Sequence, residues 1–249
     1  MSASAALGTP RVHFRLLDST NAHARALAAA GAPHGTLVTA EAQSAGRGRQ
    51  GRTWSAPPGR ALLMSLVLRD SGPLLPLAAG LAVCDAVRGS GAEGALVKWP
   101  NDIVLPTPSG ALAKCSGLLV EGRPQERWAV LGIGINVAVR DGDLPAELGA
   151  ASLGLEPAAI EAVLARVLEA LDQRLAEPAA VLLEAWRSRD ALRGRAVSWS
   201  GGHGIARGVD DDGRLVVARA DGTQTAIEAG EVHLGLAAVS PPPAATVRP

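Results

Sequence analysis

The sequence contains no Tyr, one Phe and two Met, and aromatic residues amount to 2% of its 249 positions. Apolar residues still make up 47%, so a sizeable core must be built from Ala, Leu and Val. Six aromatic side chains, Phe14 and five Trp, are a thin supply for a base-stacking nucleic-acid surface. Two cysteines, Cys84 and Cys115, are too few for a disulfide framework. They fit two small core residues in a reducing cytosol. Net charge is absent as well, with 24 basic and 24 acidic residues. A neutral chain is a poor coat for a polyanion or a membrane surface, so any anion must be bound locally. No apolar run reaches the length of a membrane span. The first residues, Met-Ser-Ala-Ser-Ala-Ala-Leu, lack the basic and long apolar regions of a signal peptide. A cytoplasmic location is expected.

Two residue types are scarce. Of the 24 Lys and Arg residues only Lys98 and Lys114 are Lys, and Asn occurs three times, as Asn21, Asn101 and Asn136. A Lys in a chain that prefers Arg marks a place where a compact ammonium fits and a guanidinium fork does not.

Along the chain, 12–17 reads as a strand, and Asp18-Ser19-Thr20-Asn21 offers N-caps to an Ala/Leu helix ending near Gly31. A second strand follows from Gly35 to Glu41. Residues 44–60, rich in Gly and Pro, are expected to be irregular. Strands are expected over 61–69, 95–105, 113–121 and 127–139, with a buried helix over 74–88. Residues 157–176 carry apolar positions at helical spacing after Pro157, and a second helix runs from Pro178 to about Arg189. Both read as packing elements. Beyond Gly194, short alternating runs between Gly and Asp-Gly turns predict a small all-β unit of about 45 residues. The tail from Ser240, with Pro241-Pro242-Pro243, is expected to be disordered.

Four segments carry chemistry. Gly46-Arg47-Gly48-Arg49-Gln50-Gly51-Arg52 lies in a stretch with no acidic residue between Glu41 and Asp70. Its glycines let the backbone approach a ligand, and its Arg forks suit carboxylate or phosphate. A solvated basic loop or a nucleic-acid contact explains the loop alone equally well. Trp54 is a core anchor or a flat wall for a base. Lys98-Trp99-Pro100-Asn101-Asp102 is an ordinary turn or a phosphate and magnesium site; the turn does not account for the Lys. Lys114-Cys115-Ser116-Gly117 opens a strand. Gly132-Ile-Gly134-Ile-Asn136 puts glycines inside a strand, where backbone approaches a ligand or a neighbour, and ends on an Asn with a donor and an acceptor, as recognition of adenine requires. All five scarce residues fall in these segments or in Ser19-Thr20-Asn21.

Taken in order, Asp18-Ser-Thr-Asn21, Glu41-x-Gln43-x-x-Gly-Arg-Gly-Arg-x-Gly-Arg52-x-Trp54, Val97-Lys-Trp-Pro-Asn-Asp102, Lys114-x-x-Gly117-Leu-Leu-Val-Glu121 and Gly132-x-Gly-Ile-Asn136 resemble the catalytic domain of biotin protein ligases. Gly204-Ile-Ala-Arg-Gly-Val-Asp210 resembles the SH3-like C-terminal domain of that family. The resemblance implies an α+β fold: a mixed β-sheet flanked by helices, similar to class II synthetases, over 10–192. A small SH3-like barrel would occupy 193–239, ahead of the tail at 240–249. It implies ATP and biotin as substrates, Mg2+, and a biotin carboxyl carrier protein as partner; a homodimer is compatible with it. Ser19, Thr20, Asn21 and Gln43 would bind biotin, chiefly its ureido ring. Arg47, Gly48 and Arg49 would hold its carboxylate and then the acyl phosphate, with Lys114 and Gly117 alongside. Arg52 and Lys98 would face the ATP phosphates. Trp54 and Asn136 would meet adenine, with Asn101 and Asp102 near phosphates and magnesium. Arg49, Lys98 and Lys114 are the expected catalytic residues.

The sequence departs from the family at Gln50, where some relatives carry Arg, and at the uncharged turn 106–111. About ten residues precede the first strand, so a helix-turn-helix domain and a DNA-binding role are not expected. The rivals are a lipoate or octanoate ligase or transferase of related fold, and a nucleic-acid module using the Arg loop. A P-loop ATPase is disfavoured because its motif is absent.

Overall fold

The apolar runs assemble into a seven-stranded mixed sheet with strand order β1-β2-β3-β7-β6-β5-β4. Its strands are β1 (Arg11–Phe14), β2 (Leu37–Ala40), β3 (Ala61–Arg69), β4 (Leu96–Lys98), β5 (Asp102–Pro106), β6 (Leu112–Arg123) and β7 (Trp128–Asn136). The β1–β2 pair is parallel and the other neighbours are antiparallel. Among the described residues, four α-helices accompany the sheet: α1 (Thr20–Ala29), α2 (Leu75–Gly89), α3 (Ile160–Ala176) and α4 (Ala179–Ser188). This computed structural model describes residues 6–144, 149–228, 230 and 232–234.

β7 is buried along its whole length because β3 and β6 flank it and both faces are covered. Side chains alternate between the faces of a strand. Leu131, Ile133 and Ile135 fill one side, each worth about 1.5–3 kcal/mol when fully buried. Val130, Gly132, Gly134 and Asn136 point to the other. There α1 lies on Val38, Val67 and Val130 through Ala24 and Ala28, which are small enough for close approach. Ser19 caps α1, and Gly31, at φ +90°, ends it.

Two elements differ from expectation. Residues 95–105 form two strands, because Pro100 cannot donate to a ladder and Pro-Asn-Asp favours a turn. β4 and β5 therefore pair as a hairpin with Lys98 opposite Asp102. The arm at 46–54 is also more ordered than its composition suggests. Arg47 bridges to Thr53, the Gly48 N–H donates to the Arg52 carbonyl at 2.7 Å, and a single 3-10 turn spans Arg49–Gly51.

The chain divides after Ala191 into two compact units. The second is an antiparallel sheet of β8 (Ala196–Trp199), β9 (Gly202–Val209), β10 (Leu215–Ala218), β11 (Gln224–Ile227) and β12 (His233–Leu234). Its order is β11-β10-β9-β8-β12. Alternation alone did not reveal β9, whose pattern is interrupted by Gly202, Gly204 and Gly208. The tail expected from Ser240 lies outside the described residues.

Candidate active site

A row of paired residues crosses the sheet: Lys98 opposite Asp102, Asp102 opposite Gly117, Gly117 opposite Gly134. Directly opposed residues share a face, so this row sets charge beside a strip without side chains. Lys114 joins it through a bulge. Ser116 pairs with Ile103 and Lys114 with Val104, leaving Cys115 as the extra residue. The bulge re-aims the strand, and Lys114 and Gly117 come to one face. Lys114 Nζ reaches Asp102 Oδ1 at 2.7 Å. This is an ion pair outside hydrogen-bond direction.

Glycines make the trough. A Cβ on Gly117 would stand 2.8 Å from Lys114 Nζ and 3.1 Å from Trp54 Cζ3. One on Gly134 would collide with the Trp54 indole, and one on Gly132 with Asn21 Oδ1. Trp54 thus lies directly on backbone, with the Lys114 ammonium 5.6 Å from its ring centre. The arm reaches this position because Gly46 and Trp54 pair back to back (Trp54 N–H to Gly46 O, 3.1 Å).

At one end of the trough a polar network surrounds the start of α1. The Gln43 Oε1 atom accepts from the Thr20 N–H at 2.7 Å and from the Thr20 hydroxyl at 3.1 Å. The Ser65 hydroxyl lies 2.9 Å from Thr20 Oγ1 and 3.0 Å from Asn21 Oδ1. Asn21 Nδ2 donates to Glu121 Oε2 at 2.6 Å. Ser19, Thr20, Asn21 and Ser65 are all buried. Ser19 Oγ accepts from the Ala22 N–H, so its hydroxyl also serves the helix. Sequence reasoning missed Ser65. Its signal was a lone hydroxyl in an otherwise apolar strand, Ala-Leu-Leu-Met-Ser-Leu-Val-Leu-Arg.

At the other end sit the cations. Arg49 Nη1 donates to Asn101 Oδ1 at 3.0 Å, and Asn101 Nδ2 donates to the Leu118 carbonyl at 2.8 Å. Asn101 therefore ties the arm to β6. Burial lowers the Arg49 pKa, against Asp102, which raises it. Burial likewise lowers the Lys98 pKa, again opposed by Asp102, while Lys114 and Arg52 push it further down. Arg49, Lys98 and Lys114 thus surround the Asp102 carboxylate, with Arg52 beside the first two, and such a cluster is poised to take further negative charge. Arg47 and Arg52 lie on the arm with exposed side chains, and Gly48 is partly buried. Asn136 donates through Nδ2 to the Ala151 carbonyl at 3.0 Å. Among the described residues, Asn136 Oδ1 and Trp54 Nε1 are buried without a hydrogen-bond partner.

Comparison with known proteins places the chain among relatives. Residues 13–137 match the biotin/lipoate A/B protein ligase family, and residues 202–235 match the biotin protein ligase C-terminal domain. The bifunctional ligase/repressor BirA of Bacillus subtilis is 33% identical over 92% of this chain and 75% of its own length. Biotin--[acetyl-CoA-carboxylase] ligase of Mycobacterium tuberculosis is 36% identical over 87% of this chain and 86% of its own. The structure of biotin protein ligase from Aquifex aeolicus in complex with biotin and ATP superposes with a TM-score of 0.75 at 26% identity, covering 91% of this chain and 98% of that one. The chain belongs to the biotin/lipoate A/B protein ligase family, and both of its units match biotin protein ligases.

Proposed function

We infer that this chain is a biotin protein ligase, which activates biotin with ATP as biotinyl-5'-AMP and passes it to a lysine of a biotin carboxyl carrier protein. The observation that carries this reading is the trough itself: a buried amide-and-hydroxyl network at one end, a cation cluster at the other, and between them a strip of glycines covered by the Trp54 indole. Biotin has the matching form, a polar ring joined by an aliphatic chain to a carboxylate. The relatives named above favour biotin over lipoate, and a neutral chain with few aromatics does not favour nucleic acid.

In this reading Thr20, Asn21 and Gln43 receive the ureido ring, with Ser19 holding the helix start. Arg47, Gly48, Arg49 and Lys114 receive the carboxylate beside Gly117. Its attack on the α-phosphate forms the mixed anhydride and releases pyrophosphate. Arg49, Arg52 and Lys98 balance the charge as it builds, and positioning plus electrostatics supply most of the rate. Asn101 acts by orienting Arg49. Asn136 Oδ1 offers adenine an acceptor for its amino group, and Trp54 a flat face. The arm then shields the anhydride from water. In the second step the carrier's lysine attacks the acyl carbon and AMP leaves, so no covalent enzyme intermediate forms.

Magnesium fits only as the companion of the nucleotide. Asp102 is a single carboxylate already paired with Lys114, and among the described residues no three His, Cys, Asp or Glu converge. A dedicated ion would need more oxygen ligands. A cytoplasmic location is supported by two buried, unpaired thiols. No described helix is long and apolar enough to cross a membrane. The reading includes no DNA-binding role and is compatible with a homodimer. ATP–pyrophosphate exchange, run with biotin or with lipoate, tests it. Stimulation by biotin alone is expected; stimulation by lipoate alone would overturn it.

A further inference from the structure

Glu121, on β6, is a carboxylate on which α1 and the arm converge. Asn21 Nδ2 donates to its Oε2 at 2.6 Å, and Arg25 Nη1, one helical turn further along α1, donates to its Oε1 at 3.1 Å. Arg47 Nη1, from the arm, lies 3.7 Å from the same Oε1. The first bond fixes which way the Asn21 carboxamide faces, because Ser65 takes the Oδ1 side and Glu121 the Nδ2 side. The Arg47 contact is longer than a hydrogen bond, and its side chain is 49% exposed. That pairing holds the arm without locking it, and a second carboxylate arriving in the trough can replace it.

We propose that Glu121 is a positioning residue with two duties: it orients Asn21 for the ring of the substrate, and it tethers the arm through Arg47 until a substrate carboxylate takes its place. The first duty, and the displacement of the tether by a substrate carboxylate, rest on the biotin reading given above; the tether itself does not. The two duties separate chemically. A carboxamide at this position still accepts a hydrogen bond from Asn21 but has no charge for Arg25 or Arg47.

The experiment compares Glu121→Gln and Glu121→Ala with the unsubstituted chain in two measurements. One is the rate of limited tryptic cleavage after Arg49 and Arg52, without any ligand, alongside the melting temperature. The other is the biotin KM and kcat in pyrophosphate exchange. Glu121→Gln is expected to be cleaved several-fold faster at an unchanged melting temperature, with its biotin KM within about twofold. Glu121→Ala is expected to be cleaved as fast and to raise the biotin KM about tenfold while kcat moves less, a loss of about 1.4 kcal/mol. A merely structural ion pair would not split KM from kcat or free the arm at constant stability. Wild-type cleavage of Glu121→Gln, or a wild-type biotin KM in Glu121→Ala, overturns the proposal. If Glu121→Ala does not fold, Glu121→Gln decides by its cleavage rate. Absence of biotin-dependent exchange in the unsubstituted chain would sink the ligase reading instead, and the cleavage measurement would still test the tether.

Discussion

Adding one methyl group at Gly132 should weaken substrate binding without touching the cation cluster. Gly132 lies in the middle of β7 opposite Ser65, and its φ is not in the left-handed region. Ala at this position therefore brings no backbone strain, and the whole effect is steric. The new Cβ would overlap Asn21 Oδ1 and stand 3.0 Å from Asn21 Cγ. Asn21 cannot yield easily, being 4% exposed and held by Ser65 at one end and Glu121 at the other. Displacing it breaks a hydrogen bond to a charged partner, worth about 1.5–3 kcal/mol. Overpacking adds a stability cost of about 1–3 kcal/mol. Gly132→Ala should thus lose about 2.5–6 kcal/mol in chemical denaturation. Its biotin KM should rise at least tenfold, with the ATP KM nearly unchanged. Gly89→Ala is the control. It sits at the end of α2 with its nearest neighbour atoms 3.8 Å away, and should be neutral or stabilise by up to about 1 kcal/mol. A Gly132→Ala chain with wild-type stability and biotin KM would refute the packing of Asn21 on bare backbone.

Three other outcomes are expected. Arg49→Ala should abolish biotin-dependent pyrophosphate exchange while leaving the unfolding free energy within about 0.5 kcal/mol of the unsubstituted chain, since an arm residue adds little to the core; full activity would remove Arg49 from the chemistry. Because burial lowers the Lys98 pKa, its ammonium loses the proton at a lower pH than an ordinary lysine, so activity should decline earlier on the alkaline side. Lys98→Arg, if active, should move that limb upward, and an unmoved limb would exclude Lys98 as its source. Cys84 and Cys115 are fully buried with thiol pKa values pushed up to about 12, so neither should react with a thiol reagent at pH 8 until the protein unfolds, and rapid labelling of the native chain would contradict the core.

Much of the candidate site was legible because residues that this chain otherwise avoids converge there. Lys98, Lys114, Asn21, Asn101 and Asn136 all come to the trough or its borders. What could not be read is three-dimensional. The bulge at Cys115 decides which face Lys114 takes, and no periodicity announces a single extra residue. Asn101 reads as a turn residue near phosphate, yet its amide joins Arg49 to Leu118. Asn136 promised a donor and an acceptor, but one of its two N–H groups is given to the Ala151 carbonyl, while its Oδ1 is buried without a partner. Ser65 was hidden because an apolar strand tolerates a hydroxyl, and its partners are more than forty positions away. In the fold, long apolar periodicity located β3, α2 and α3 well. The 95–105 hairpin was missed because apolar residues continue on both sides of Pro100.

The central claim is that the trough makes and holds an acyl-adenylate. Mass analysis of the small-molecule products tests it most directly, with the chain, ATP and biotin and no acceptor protein. The account predicts biotinyl-AMP and pyrophosphate in equal amounts, with the adenylate retained on the protein. ADP with inorganic phosphate, or nucleotide turnover indifferent to biotin, would contradict it.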